Sequence, residues 1–303
     1  MARDLDAVVG PAGWATRAEL VRRVDRGTVD AWVATGRLVR LQPALYATPA
    51  AAGRWRTRVA AIARTRDGVV SHRTALALWE LVPPPTDPVH LTVEPGRSAR
   101  GSAGVVLHRA PDVRDVMRRV DGIPVTCAER AVVDSWALTG GLPRAAVRAA
   151  AIDAVRRRLC WPADLAAELA RRPRLRARAE LAGLVDLLAA GCRSELEVWG
   201  CLHVLRTPGM PRFVQQCRVV VAGERFDLDA AYEEVLQAVE LDGAAWHGSR
   251  RQREQDIRRD ALLATVGWQT LRFSYARLTG EPEACRRDVV AAHRARQQLF
   301  GAR

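Results

Sequence analysis

The sequence predicts an α/β protein with several domains, and three observations lead to this expectation. A chain of 303 residues is longer than one typical domain. Short apolar runs typical of strands recur from about residue 51 to residue 142, and again before residue 242. Segments with helical spacing lie before and between them. We therefore expect domains at residues 1–50, 51–190 and 191–303.

Composition restricts the class of partner. Hydrophobic residues at 49% and charged residues at 27% are typical of a globular protein with a sizeable core. The formal net charge of +13 favours polyanions such as DNA and argues against a protein-only interaction role. No stretch reaches the roughly 18 apolar residues of a membrane span, and the first residues lack the apolar core of a signal peptide. We expect a cytoplasmic protein without a membrane partner.

The absence of lysine and the spacing of the cysteines exclude several classes of site. The chain contains no lysine, so no Walker-type phosphate loop and no Schiff-base enzyme can be built from it. Its six cysteines lie far apart and form no Cys-x-x-Cys pair. Neither a zinc site nor a disulfide framework is therefore indicated.

The first fifty residues have the element order of a winged helix. Residues 16–19 form a capping box that predicts a helix after Thr16. A second helix is expected from Thr28 to Gly36, and residues 37–41 and 44–47 are expected to pair as short strands. This segment resembles the N-terminal winged-helix domain of AbiEi-type antitoxins of type IV toxin-antitoxin systems.

The winged-helix interpretation identifies DNA as the partner. In such modules the second helix enters the major groove while basic side chains contact phosphates. The residues expected to contact phosphate here are Arg26, Arg37 and Arg40. The alternative is a protein-interaction module. The antitoxin resemblance adds a partner toxin protein, and a homodimer is also left open.

The middle region is expected to be an α/β unit followed by helices. Residues 89–93 and 104–108 have strand patterns and are separated by a turn that contains Pro and Gly. His72, His90 and His108 share no metal-ligand spacing, so structural roles are expected for them. From residue 143 to residue 190 the spacing is helical, and these helices are expected to connect to the C-terminal domain.

Three acids near the end of the chain predict a cation site. Glu240 and Asp242 are two residues apart at the end of an apolar run, so in a strand they lie on one face. A neighbouring strand would bring Asp229 beside them. Carboxylate oxygens are the ligands of Mg²⁺, with Mn²⁺ as the alternative, and such a site suits phosphodiester hydrolysis. The alternative interpretation is that these acids are solvated or form turns.

Five ordered segments in the last third of the chain carry a family resemblance. They are Asp-Ala-Ala-Tyr-Glu-Glu at 229–234, Ala-Val-Glu-Leu-Asp-Gly at 238–243, Trp-His-Gly at 246–248, Asp-Ile-Arg-Arg-Asp at 256–260, and Gly-Trp at 267–268 with Leu-Arg at 271–272. Together they resemble the Vsr-like endonucleases of the PD-(D/E)XK superfamily. The resemblance implies a metal-dependent nuclease with a mixed sheet flanked by helices and an acid on its first helix. That helix is expected near Ser194, with Glu197 as the acid and Glu195 as the alternative.

The chain departs from this superfamily at one position. Asp242 occupies the place of the usual motif lysine, and an aspartate can only ligate metal or accept a proton. His247 is therefore expected to assist proton transfer, as the histidine of the Trp-His-Gly segment. Arg258 and Arg259 are candidate phosphate contacts, with a solvated helix face as the alternative.

The function expected from these patterns is a metal-dependent DNA endonuclease that is targeted by a winged helix. Its catalytic residues would be Asp229, Glu240, Asp242, His247 and Glu197, and the first three would bind the metal. The rival expectation is a DNA-binding regulator without catalysis, an antitoxin-like transcriptional repressor. The missing lysine supports the rival, and the complete set of acids opposes it.

Overall fold

The structure is a computed structural model that describes residues 4–85, 88–96, 103–138, 140–242 and 250–301. It divides into two compact units. One contains Met1–Ala154 with Ala167–Ala177, and the other contains Val155–Ala166 with Arg178–Arg303. Both units combine helices with a β-sheet, which confirms the predicted α/β class.

The first unit begins with a small helical module and a three-stranded antiparallel sheet of order β1-β3-β2. Its elements are α1 (Leu5–Val9), β1 (Trp14–Thr16), α2 (Arg17–Arg23), α3 (Arg26–Ala34), β2 (Val39–Gln42) and β3 (Leu45–Ala47). Helix α2 begins at the predicted capping box, in which Thr16 and Glu19 bond each other's backbone. Helix α3 begins two residues earlier than predicted, because the Asp25 carboxylate accepts a hydrogen bond from the Thr28 amide and caps it.

The rest of the first unit surrounds a five-stranded mixed sheet of order β6-β5-β4-β8-β7. Its elements are α4 (Pro49–Ala52), α5 (Trp55–Arg66), β4 (Val69–Val70), α6 (His72–Leu78), β5 (Val89–Val93), β6 (Val105–Arg109), β7 (Met117–Val120), β8 (Ile123–Thr126) and α7 (Ala128–Ala137). Strands β5 and β6 were predicted at the right residues. They pair in parallel, and residues 97–102 of the segment between them, where the sequence predicts a turn, lie outside the described residues.

Helices connect this sheet to the second one, and the division between the two units falls within α8 and α9. The connecting helices are α8 (Arg144–Arg156), α9 (Pro162–Ala170) and α10 (Arg178–Ala189). The helical segment predicted for residues 143–190 is thus confirmed. No helix in the described ranges has both the length and the apolar character needed to cross a bilayer.

The second unit contains a four-stranded mixed sheet of order β12-β11-β10-β9 with helices packed against it. Its elements after α10 are α11 (Glu195–Gly200), a π-helical turn (Cys201–Leu205), β9 (Val214–Val221), β10 (Glu224–Tyr232), a 3₁₀ turn (Glu233–Val235), β11 (Gln237–Asp242), α12 (Arg250–Thr265), β12 (Gln269–Ser274), α13 (Tyr275–Gly280) and α14 (Pro282–Gly301). Leu263 of α12 packs with Ala231 and Ala238 on one face of the sheet. This face also carries the candidate site.

Candidate functional site

Asp229 and Glu240 lie next to each other on neighbouring strands. Strands β10 and β11 are antiparallel, and Ala230 is paired with Val239, so the next pair along the ladder is Asp229 with Glu240. By strand alternation their side chains share a face with Ala231 and Ala238. The sequence therefore brings these two acids together through an ordinary two-strand register.

The Asp229 carboxylate is held by hydrogen bonds to both oxygens. The Leu241 amide donates to Oδ2 at 2.8 Å, and the Gln216 side chain donates to Oδ1 at 3.2 Å. Burial raises the pKa of Asp229, and these two bonds oppose the shift because they stabilise the ionised form. The carboxylate is thus oriented before any ligand arrives.

Glu197 joins the same group of residues from helix α11. Ser194 caps this helix by accepting a hydrogen bond from the Glu197 amide at 3.1 Å. Glu197 Oε2 accepts from the Arg193 amide at 2.9 Å and from Gln216 Nε2 at 3.4 Å. The Gln216 amide therefore lies between the carboxylates of Glu197 and Asp229. Burial raises the pKa of Glu197, and the charge of Asp229 adds to the shift.

Glu240 is paired with an arginine. Its Oε1 lies 2.7 Å from Nη2 of Arg259, which extends from α12 one turn before the buried Leu263. Arg272, the partner of Glu240 in the register of β11 and β12, is bound by both oxygens of Asp260 at 3.0 and 2.8 Å. Arg259 and Arg272 therefore both lie near the Glu240 carboxylate.

Glu240 has an unusual pKa for a carboxyl group. Burial, with a further contribution from the charge of Asp229, raises its pKa to about 7, although Arg259 and Arg272 act in the opposite direction. The 2.7 Å ion pair with Arg259 alone would lower the pKa. Because only 6% of Glu240 is exposed, desolvation outweighs the pairing.

We predict that this shift makes the stability of the second unit depend on pH. The folded pKa of about 7 lies above the ordinary glutamate pKa of 4.5, so the folded state binds a proton more tightly than the unfolded state. The stabilisation by the proton on Glu240 is complete below pH 4.5 and is lost as the pH rises through 7. The loss is about 3 kcal/mol at most, because one pKa unit corresponds to about 1.36 kcal/mol. Amide hydrogen exchange of β11, corrected for intrinsic rates, measures it. The variant Glu240→Gln should lose the slope between pH 5 and pH 8, and an unchanged slope would contradict the assignment.

The remaining predicted site residues lie at different distances from this group. Asp242 is the last residue of β11 and is half-buried, in register with Ser274 of β12. Arg258 is exposed on α12 and forms an ion pair with Glu224. His247 lies outside the described residues. In the N-terminal module Arg26, Arg37 and Arg40 are all exposed, and the Arg37 guanidinium lies over the Trp32 ring at 5.6 Å.

A second group of side chains was not anticipated. Among the residues that the structure describes, one group of three or more potential metal ligands has its ligand atoms within 4.8 Å of each other, and it consists of His72, His90 and His108. The acids around Asp229 are more widely spaced than this. Burial lowers the pKa of all three histidines, that of His90 to about 4, so their imidazoles are neutral.

The three histidines lie together because of tertiary structure, whereas the sequence, in which they share no metal-ligand spacing, predicted only structural roles for them. His90 and His108 lie on the parallel strands β5 and β6, and His72 is the first residue of α6. No spacing along the chain reveals this arrangement. One signal was present in the sequence, since each of the two strand patterns contains a single histidine among apolar residues. Pairing these strands would have brought the histidines together.

Comparison with known proteins identifies the class of the C-terminal domain. Residues 203–292 match the model of the family REase_MTES_1575, which is restriction endonuclease-like. The match includes Asp229, Glu240 and Asp242, and it supports a C-terminal restriction-endonuclease-like domain. No curated protein matches the chain. Among solved structures the chain is similar to the RV2827C protein from Mycobacterium tuberculosis, with 18% identity, 57% of this chain and 71% of that chain covered, and a TM-score of 0.42.

Proposed function

We propose that this protein is a metal-dependent endonuclease that hydrolyses phosphodiester bonds in DNA. The observation that carries the proposal is a pair of carboxylates, the buried Glu240 and the half-buried Asp229, on neighbouring strands of a domain that matches a restriction endonuclease-like family. Two neighbouring acids repel each other and are costly to desolvate, and a divalent cation held by Asp229 and Glu240 would relieve both costs.

The donor atoms fit Mg²⁺, with Mn²⁺ as a substitute. Mg²⁺ is commonly bound by one or two carboxylates together with substrate phosphate and several waters. Asp229 and Glu240 are therefore sufficient as the protein ligands. We assign Asp242 and Glu197 to the same site as supporting acids. When bound, the cation would polarise the scissile phosphate and lower the pKa of a water molecule.

Arg259 provides the positive charge that a motif lysine would otherwise supply. Its guanidinium pairs with Glu240 and also donates to the Asp227 carbonyl at 2.7 Å. A guanidinium binds phosphate in the same way that it binds carboxylate, so Arg259 can transfer from Glu240 to a DNA phosphate when substrate enters. This transfer would free the Glu240 carboxylate to bind the metal ion when DNA is present. His247 is assigned to proton transfer, and Arg258 to a second phosphate contact.

The N-terminal module is proposed to bring the protein to DNA as a winged helix. Helix α3 follows α2 and is followed by the β2–β3 hairpin, which is the order of elements in that motif. Arg26 at the start of α3, Arg37 after its end and Arg40 on β2 are exposed and available to contact phosphates. The net charge of +13 supports binding to a polyanion.

A regulator without nuclease activity is the second candidate. The observation that favours it is the Glu240–Arg259 ion pair, because an arginine that permanently neutralised Glu240 would take the place of a metal. The nuclease fold would then serve as a DNA-binding platform in an antitoxin-like repressor, acting with a partner toxin protein or as a homodimer.

Cleavage of supercoiled plasmid DNA distinguishes the two candidates. The full chain should convert supercoiled DNA to nicked or linear DNA in the presence of Mg²⁺ or Mn²⁺, and it should leave the DNA intact when EDTA replaces the metal. The protein is expected to bind the same DNA, measured by electrophoretic mobility shift, both with the metal ion and with EDTA. Binding without cleavage in all metal conditions would reject the endonuclease and favour the regulator.

A further inference from the structure

We propose that His72, His90 and His108 form a binding site for a divalent transition-metal ion, with Zn²⁺ as the best fit. The site would hold the ion through three imidazole nitrogens and leave a fourth position for water. It belongs to the five-stranded sheet of the first unit and is independent of the proposed nuclease site.

The three imidazoles converge at short distances. Nδ1 of His90 lies 3.0 Å from Nε2 of His108, and the rings of His72 and His108 are stacked with centroids 3.6 Å apart. Two nitrogens that bind one tetrahedral zinc ion at 2.0–2.1 Å lie about 3.3 Å apart. Metal binding would therefore lengthen the contact between His90 and His108 by a few tenths of an ångström. It would also turn the ring of His72 or His108, because stacked rings direct their nitrogen lone pairs in parallel. The ion would take the place of the proton in this contact, and the donating imidazole would then carry its proton on its other nitrogen.

His72 is oriented for ligation by the residue before it. Its Nδ1 lies 2.9 Å from Oγ of Ser71, so Nε2 is the nitrogen left for a metal. Histidine ligands commonly use their second nitrogen in this way, since the bond fixes the tautomer and the direction of the ring. His72 also has a backbone φ of +53°, a conformation that residues other than Gly adopt only at an energetic cost. Strain of this kind is concentrated at functional sites.

Thr92 provides an independent indication of a bound ligand. Its hydroxyl is buried without a hydrogen-bond partner, although only 2% of the residue is exposed. Thr92 shares a face of β5 with His90 and is paired with His108 across the parallel ladder. A buried hydroxyl without a partner is costly. A water molecule in the fourth position of the ion would give this hydroxyl a partner.

Both arginines and acids surround the three histidines. Arg130 and Arg172 are close enough to His72 to lower its pKa, and Arg73 is close enough to His90 to lower its pKa. Arg130 and Arg172 are paired with acids. The acids in this buried network are Asp112, Asp134 and Glu168. His72 and His90 are buried while His108 is half-buried, so the site has an entry route at His108.

Metal titration of the full chain tests the proposal. After dialysis against a chelator, the wild-type protein should bind one equivalent of Zn²⁺ with an increase in melting temperature. One equivalent of Co²⁺ should give the visible absorption of a tetrahedral site without the near-ultraviolet band of thiolate ligation. The variants His90→Gln and His108→Gln should weaken Zn²⁺ binding by more than about 100-fold. Loss of a group that only orients a ligand typically costs about 10- to 100-fold, so loss of a ligand itself should cost more. Thr92→Val and Ser71→Ala should weaken it by about 10-fold.

Two controls make the result specific. The exposed His203 lies outside the cluster, so His203→Gln should bind Zn²⁺ as the wild type does. Glu240→Gln should also keep the Zn²⁺ site, which separates it from the proposed Mg²⁺ site. Because His108 is half-buried, His108→Gln is expected to fold with an unchanged melting temperature in the absence of metal. Equal Zn²⁺ affinity in the wild type, His90→Gln and His108→Gln would overturn the proposal, as would a thiolate band in the Co²⁺ spectrum.

Discussion

Replacing Glu240 with Gln is expected to reduce metal-dependent DNA cleavage by about 10³-fold or more, while DNA binding is retained. The substitution keeps the size of the side chain and removes its charge, so the site loses one of its two proposed metal ligands. A metal ion contributes several kcal/mol to transition-state stabilisation, and about 4 kcal/mol corresponds to a factor of about 10³ in rate. Initial rates of plasmid nicking at saturating Mg²⁺ measure the effect.

The chain offers a matched control on the same sheet. Glu224 lies on β10, is partly exposed and forms an ion pair with Arg258 at the surface. The variant Glu224→Gln makes the same chemical change outside the carboxylate pair. It leaves Arg258 in place to contact phosphate, so it should retain nearly full activity. If Glu240→Gln cleaved DNA within a few-fold of the Glu224→Gln rate, Glu240 would not be a metal ligand.

Asp229 provides a second test of the same site. Asn at this position can still accept the hydrogen bond from the Leu241 amide, so Asp229→Asn should fold while losing activity. Its control is Asp227→Asn, because Asp227 lies on the same strand but is exposed and paired with Arg218. Residues that act as a unit show non-additive effects. The double variant with Glu240→Gln should therefore be little worse than either single variant.

The local features of this fold were readable from the sequence. The capping box at Thr16 depends on residues within four positions of each other, and α2 begins where this pattern predicts. Helix α11 follows Ser194, the start that the family resemblance implied. The strand that ends at Asp242 was predicted from a continuous apolar run, and five of its six residues are buried. Such features are determined by neighbouring residues.

Pairings across the chain could not be read in the same way. Arg259 was predicted as a phosphate contact, but its link to Glu240 depends on how α12 packs against the sheet through Leu263. Gln216 lies between the carboxylates of Glu197 and Asp229, and no motif marks it. The histidine cluster requires the parallel pairing of β5 with β6, which is a choice of topology. A single sequence does not specify which distant strands become neighbours.

A buried ion-pair network in the first unit was also invisible in the sequence, and it leads to the largest stability effect that we expect. Arg130 of α7 is only 1% exposed and lies 2.8 Å from Asp134, 2.9 Å from Asp112 and 3.1 Å from Glu168. The variant Arg130→Met should lower the free energy of unfolding of this unit by about 3–5 kcal/mol. The cause is that Asp134 and Glu168 would remain buried without their main partner.

The comparison with an exposed arginine separates this effect from a general loss of charge. Arg114 in the same unit pairs with Asp67 and Glu94, but all three side chains are more than one third exposed. Arg114→Met should therefore change stability by less than about 1 kcal/mol in urea unfolding followed by circular dichroism. A loss in Arg130→Met no larger than in Arg114→Met would show that the network contributes little.

The pH dependence of the Arg130→Met variant gives this prediction a second, independent readout. Burial already raises the pKa of Asp134 and of Glu168, and the arginine opposes that shift. Without Arg130 the folded pKa of both acids rises further above the unfolded value, so the folded state holds their protons more tightly. Their stabilisation is then present at low pH and lost as the pH rises through the raised pKa values. The deficit relative to wild type should therefore be smaller at pH 5 than at pH 8. An equal deficit at both values would instead indicate lost packing around the arginine stem.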